Sequence, residues 1–186
     1  MKIKYLFKHL NLVNKHRFLV FKLSIKAGIP FRGLVHDLSK YSPTEFFESV
    51  KYYKGSYSPI SACKKENGYS KAWLHHKGRN KHHHEYWYDY AAPNQAALIP
   101  YKYTAEMICD TLAAGMTYQG KKWTNDYQLK YYLKDRKTKH INPITDAILL
   151  EVYEMISKKG INEVINSKTL KRIYNKHVGD VNDKKY

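Results

Sequence analysis

His36-Asp37, within Gly33-Leu34-Val35-His36-Asp37-Leu38-Ser39-Lys40, is the part of this chain most able to do chemistry. His16 precedes it in an apolar helical pattern. His75, His76, His82, His83 and His84 follow, and Asp110 comes last, inside a second apolar helical pattern. Neutral imidazoles and carboxylates together suit a divalent ion such as Mn, Fe, Co, Ni or Zn. In this order on a helix-rich chain, they are the donor set of a hydrolase with one or two such ions. An aspartate on an apolar helix face is costly unless it is paired or metal-bound. For Asp110 the competing reading is a salt bridge to one of the many lysines. For His36-Asp37 it is a helix cap with a solvent-facing histidine. For the histidine cluster it is a surface tract that collects metal adventitiously.

Within that cluster, His76 and His83 are the candidate ligands, with His75 and His82 one register away. Three consecutive histidines cannot all serve one site, so at least one of His82, His83 and His84 is a bystander, and His84 is expected to be the more exposed. Seven residues along an unbroken helix would separate His76 from His83 by roughly 10 Å, too far to share an ion. A break at Gly78 would let the second half fold back. Glu85 fits either a role orienting an imidazole or a pair with Lys81 one helical turn away. Lys40, three residues past Asp37, and Arg79 and Lys81 are the candidates for holding phosphate. Asp37 and Lys40 are the candidate catalytic residues.

The elements that must position these groups read as helices. Residues 3–27 carry Leu6, Leu10, Val13, Val20, Leu23 and Ala27 at a helical period, with His16 on the stripe. Gly28 and Pro30 end it. Residues 31–40 predict a short helix or helical turn carrying the doublet and Lys40. Ser42-Pro43-Thr44-Glu45 is a capping box opening a third helix to about Lys54, and Gly55-Ser56-Tyr57-Ser58-Pro59 is a loop. Residues 60–92 read as mainly helical with interruptions at Gly68 and Gly78, ending at Ala91-Ala92-Pro93-Asn94. Further helices are expected over 102–118, 123–137, 143–158 and 168–177. Cys109 is expected in the core. No strand-like alternation or internal repeat is visible. The expected architecture is all-α: one domain over 1–178 and a charged tail over 179–186.

The chain has 186 residues, of which 43% are hydrophobic, enough for a core. It has 33 Lys+Arg against 16 Asp+Glu, a net +17, which predicts attraction to something anionic. Two cysteines make a disulfide framework improbable and a reducing compartment the default. Met1-Lys2-Ile3-Lys4 could mimic the start of a signal peptide, but Lys8, His9, Asn11, Asn14 and Lys15 break the run behind it. No uncharged run approaches a membrane span. A cytoplasmic location is therefore expected, without a membrane partner. Phosphate loops, Cys-x-x-Cys, His-Glu-x-x-His and Gly-x-Ser-x-Gly are all missing.

With these residues in view, the chain resembles the HD superfamily of metal-dependent phosphohydrolases. The likeness rests on His16, His36-Asp37, the intermediate histidines and Asp110, over roughly residues 5–118. His-Asp-Leu-Ser-Lys at 36–40, His-His-x-x-x-Asn-x-His-His-x-Glu at 75–85 and Cys-Asp at 109–110 are similar to a small branch found in bacterial and phage genomes. The resemblance implies a compact helical bundle with a central metal site. It implies one ion held by His16, His36, Asp37 and Asp110, and a second bridged by Asp37 and held by middle histidines. Asp-x-x-Lys is also similar to relatives that cleave cyclic dinucleotides, but their glycine-tyrosine-proline motif is missing and the middle histidines here lie closer together. The expected activity is hydrolysis of a nucleotide, cyclic nucleotide or related phosphoester. The alternatives are a non-catalytic nucleotide-binding sponge and a basic nucleic-acid-binding protein, the latter supported by 18 tyrosines able to stack on bases.

Overall fold

A computed structural model describes residues 3–55, 57–92 and 95–182, the last three through their backbone alone. Met1, Lys2, Ser56, the expected helix end at Pro93-Asn94, and the final four residues of the expected tail lie outside the described residues. The helices are α1 (Ile3–Lys26), α2 (Pro30–Val35), α3 (Pro43–Lys51), α4 (Pro59–Asn67), α5 (Lys71–Lys77), α6 (Tyr101–Gln119), α7 (Tyr127–Asp135), α8 (Pro143–Lys159), α9 (Ile161–Val164) and α10 (Ser167–Asn182). Short 3₁₀ turns at Leu38–Tyr41, His84–Trp87, Gly120–Lys122 and Arg136–Thr138 link some of them. Among the described residues there is no strand, only an isolated bridge between Tyr88 and Ala96. The protein is all-α.

Helix α6 is the axle. It buries Thr104 through Cys109, then Leu112, Ala113, Gly115 and Thr117, so almost its whole circumference is covered. Helices α1, α2, α7 and α10 pack against it, and α8, which packs on α10, reaches it through the Thr111–Tyr153 hydrogen bond. The apolar side joins Val20, Leu23 and Ala27 of α1 to Ile108, Cys109 and Leu112 of α6. It continues through Ile148, Leu149, Val152, Tyr153 and Ile156 of α8 to Leu170 and Ile173 of α10. Each fully buried Leu or Ile of this set contributes about 1.5–3 kcal/mol of transfer free energy.

Two glycines set the path into the site. Gly28 ends α1 at φ +74, and a Cβ there would stand 2.7 Å from the Ser167 Oγ at the start of α10. Gly33 lets α2 lie directly on α1: its Cβ would meet that of Ser24 at 2.5 Å and the Phe21 Cα at 3.1 Å. Any side chain at Gly33 would push away the segment that carries the doublet.

Several boundaries differ from the sequence expectation. The doublet is not helical. Helix α2 stops at Val35, His36 is extended, and Asp37 is left-handed at φ 54 and ψ 26. Aspartate tolerates that region better than most residues, at some cost in strain. Beyond Gly78 the chain is turns and a 3₁₀ segment, not helix. Helix α7 starts only at Tyr127. Helix α10 runs to Asn182, so the tail expected from 179 begins inside a helix.

Candidate metal centre

Helix α1 contributes His16, whose side chain is 11% exposed and meets Asp110 of α6, with Nε2 3.0 Å from Oδ1. Arg17, the next residue on α1, holds the doublet segment in place. Its Nε donates to the His36 carbonyl at 2.8 Å and its Nη2 to the Leu34 carbonyl at 2.9 Å. These are carbonyls that the end of α2 leaves without helical partners. The break after Val35 does what a helix could not: it turns both His36 and Asp37 inward, each 1% exposed.

Three groups of donor atoms result, and Asp37 belongs to two of them: His16, His36, Asp37 and Asp110 in one, and Asp37, His76, His82 and His83 in the other; the third is His36, His82 and Glu106. In the first, His36 Nε2 lies 3.4 Å from His16 Nε2, 3.3 Å from Asp37 Oδ2 and 3.4 Å from Asp110 Oδ1, and His16 Nε2 lies 3.8 Å from Asp37 Oδ2. Donors sharing one ion at ordinary imidazole and carboxylate distances stand roughly 2.9–3.6 Å apart, so these spacings suit a common ion. In the second, Asp37 presents its other oxygen. His76 Nε2 and His82 Nε2 lie 3.3 and 3.4 Å from Oδ1, and His76 Nε2 lies 2.9 Å from His83 Nε2. His82 Nε2 is also 3.8 Å from Asp110 Oδ2.

Hydrogen bonding on the outer side fixes what points inward. Glu106 of α6 accepts from Arg32, with Nε 2.7 Å from Oε2, and its Oε1 lies 3.1 Å from His36 Nδ1 and 3.2 Å from His82 Nδ1. Glu45 of α3 receives His75 Nδ1 at Oε1 and His76 Nδ1 at Oε2, both at 2.7 Å. A carboxylate only accepts, so His36 and His76 carry protons on Nδ1 and turn Nε2 to the centre. This is the outer support typical of metal-ligating histidines. The inner atoms are correspondingly short of partners: Asp37 Oδ1 and both ring nitrogens of His82 are buried without an aligned hydrogen bond among the described residues. Converging lone pairs and orphaned buried donors fit a divalent cation.

The electrostatics agree. Burial pushes Asp37 up, but the charges of His36, Lys40 and His76 hold it well below the usual carboxylate range. Burial acts likewise on Asp110, and hydrogen bonds from His16 and His36 pull it well below. Glu106 comes down to about 2, because the bonds from His36 and His82 outweigh its burial. Burial keeps His16 and His83 below the ordinary imidazole value. Ionised carboxylates and neutral imidazoles are the forms that bind metal. His36 goes the other way. Burial lowers it, yet Asp37, Asp110 and Glu106 together raise it well above its ordinary value. Several buried carboxylates around one ring call for positive charge at that point.

The expected residues are thus brought together in part. His16, His36, Asp37, Asp110, His76 and His83 converge, and His82, held as the alternative to His83, joins them at 0% exposure. The fold-back at Gly78 occurs, so no ten-ångström gap separates His76 from His83. His75 faces Glu45 outside all three groups, and His84 turns outward against Glu85. Glu85 does not pair with Lys81. Lys40 reaches Asp37 Oδ2 at 3.0 Å while its side chain keeps 25% exposure. Arg79 and Lys81 are exposed: Arg79 bonds back to the His75 carbonyl, and Lys81 lies over Tyr86 and Tyr103. Sequence reasoning missed Glu106 and read Glu45 only as a capping residue. The cap itself is half made: Ser42 Oγ accepts from the Glu45 amide at 3.4 Å, but the Glu45 side chain goes to the histidines. Glu106 did leave a signal, an acid one turn before Asp110 on a buried helix.

Comparison with curated proteins and comparison with solved structures return no match. A family profile does match, over residues 6–155, a span that holds every donor named above and α1 through most of α8. Its description assigns no activity, and on that match the chain belongs to DUF5662, a family of unknown function.

Proposed function

We propose that the protein is a metal-dependent phosphohydrolase of the HD type, acting on a nucleotide, a cyclic nucleotide or a related small phosphoester. The observation that carries this reading is the sharing of Asp37. One carboxylate presents Oδ2 to His16, His36 and the Asp110 side, and Oδ1 to His76 and His82. A carboxylate placed between two imidazole sets suits a pair of divalent ions, of Mn, Fe, Co, Ni or Zn type. When bound, such ions lower the pKa of water and neutralise developing charge on a phosphoryl group.

The residues would divide the work. His16, His36 and Asp110 hold one position, His76, His82 and His83 the other, and Asp37 joins them. Glu106 and Glu45 orient His36 and His76 through Nδ1, which turns the Nε2 of each ring to the centre. Lys40 contacts Asp37 and reaches solvent, which suits it to pair with a substrate phosphate oxygen. Arg79 and Lys81 stand further out, where they would attract an anionic substrate by field alone. A net charge of +17 favours such substrates.

Tag-free protein, analysed for bound metal, should retain Mn, Fe, Co, Ni or Zn. Supplied with Mn²⁺, it should release product from a panel of nucleoside phosphates, cyclic mononucleotides and cyclic dinucleotides, and EDTA should stop the release. Lys40→Ala should slow hydrolysis while leaving the metal content intact. No turnover, with tight nucleotide binding, would favour the sponge. EDTA-insensitive binding to single strands that weakens steeply with salt would favour the nucleic-acid reading.

A further inference from the structure

Helix α1 has three sides. One, with His9, Val13, Val20 and Leu23, faces the interior. A second carries Ile3, Phe7, Phe18 and Ile25, which are 74%, 64%, 61% and 52% exposed. At 100° per residue these four fall within about 60° of one another. Leu10 and Phe21, half-buried, fall on the same side. The third side carries Lys4, Lys8, Lys15, Lys22 and Lys26, all exposed and within about 40° of one another. Helix α1 holds no acid at all. Among the described residues none of these five lysines is in an ion pair, although Lys22 lies over the Phe18 ring.

The apolar side does not end with α1. Helix α2 rests against it through Gly33, and Phe31, Leu34 and Leu38 add exposures of 70%, 58% and 53%. Arg17 binds the Leu34 carbonyl, so that segment sits beside the same part of α1. Exposed apolar side chains gathered on neighbouring helices beside a row of one charge mark an interaction site.

We infer that this face docks on the surface of an anionic phospholipid bilayer. Exposed Phe, Ile and Leu beside a row of lysines are what an interfacial helix needs: side chains to enter the acyl boundary and cations for the headgroups. A second copy of the chain fits poorly, since pairing two such faces would bring two acid-free lysine rows together. Single-stranded nucleic acid fits less well: Phe7, Phe18 and Phe31 offer stacking faces, but Ile3, Ile25, Leu34 and Leu38, the larger part of the face, do not. This departs from the expectation of no membrane partner, which rested on the lack of a spanning run: no described helix is long and apolar enough to cross a membrane, and the contact is peripheral. His16 lies about 200° round the helix from Phe18, which leaves the histidine cluster on the side away from the lipid. The inference stands apart from the hydrolase reading.

The test is sedimentation of the tag-free full chain with phosphatidylcholine vesicles, with and without phosphatidylglycerol. The protein should pellet with the anionic vesicles and stay free of the neutral ones. The double variant Phe18→Ser, Phe31→Ser keeps every charge and alters only exposed positions. It should retain the helical circular-dichroism spectrum and lose at least about tenfold in vesicle affinity. Lys22→Glu should lose about fivefold or more. Failure to pellet with anionic vesicles would overturn the inference. So would pelleting that the phenylalanine substitutions leave unchanged, which would mean adsorption by charge alone. A solution dimer disrupted by the same substitutions, or single-strand binding abolished by them, would assign the face to another partner and overturn it as well.

Discussion

Two regions meet on helix α6 and are built on opposite principles. On the side of α8 and α10, Ile108, Leu112, Ile148, Val152, Ile156 and Ile173 are almost wholly buried, and the polar groups among them are paired, the Tyr153 hydroxyl with Thr111 at 2.8 Å and the Thr145 hydroxyl with the Ile99 amide at 3.3 Å. Where α1 around His16 and the end of α2 meet α6, beside the apolar contacts of Val20, Leu23 and Ala27, one turn separates Glu106 from Asp110, and carboxylates and imidazoles are buried with inner atoms left unpaired. The first region stabilises the fold through area removed from water. The second costs stability, because buried charge and unsatisfied donors are unfavourable until something pairs them. A metal ion would offset that cost, and the difference between the two sides of α6 is what singles out the proposed site.

Breaking the comparison at its centre should give the largest effect. Asp37→Ala should abolish hydrolysis, by a factor of about 10³ or more, and remove bound metal, since both donor groups lose their shared oxygen pair. Its urea midpoint without metal should fall, because Ala tolerates φ 54 less well than Asp and the substitution leaves Lys40 and His36 without their buried counter-charge. A variant that hydrolyses normally would end the two-group reading.

Ile156→Ala is the converse on the apolar side. It should cost about 2–5 kcal/mol by denaturant unfolding and leave the metal content of the folded fraction unchanged. A loss of metal without a loss of stability would show that the two sides are not separable.

A third test compares two histidines of α1. His16 has Asp110 beside it; His9, 5% exposed, has only the Phe46 and Tyr53 rings and no hydrogen-bond partner for Nδ1 among the described residues. Burial, aided by the charge of Lys40, lowers His9 to about 4. Between that value and the ordinary one near 6.5, the unfolded chain binds more protons than the folded one, so stability falls as pH drops. This contribution is present in full above about pH 6.5 and is lost on approaching pH 4, amounting to roughly 3 kcal/mol at most. His9→Gln should reduce the fall in unfolding free energy between pH 7 and pH 4.5. An identical pH profile in both proteins would refute the assignment.

The smallest effect is expected from the outer support. Glu106→Gln keeps the shape but weakens the acceptor for His36 Nδ1 and the partner of Arg32. Metal affinity should drop about 10–100-fold with the helical spectrum retained. Affinity equal to the parent would reduce Glu106 to a partner of Arg32.

The helices and their order were readable from the sequence because periodicity and caps are local. The stripe of α1 put His16 inward, apolar neighbours put Asp110 on a buried helix, and Gly28-Pro30 and Pro143 marked boundaries that the structure keeps to within a residue or two. The acid-free run of lysines on α1 is likewise a property of the sequence alone. Periodicity could not reveal the break at Asp37, where one left-handed residue turns two neighbours to the same centre. Nor could it choose among His82, His83 and His84, whose directions depend on how far the chain turns after Gly78. Glu106 meets His36 across a separation of 70 residues, and Glu45 meets His76 across 31. Such contacts arise only when α3, α5 and α6 pack together. Local sequence determined which groups could bind a metal, while tertiary packing decided which lone pairs converge, because a ligand set is defined by distances in space and the helical period carries information over only a few turns.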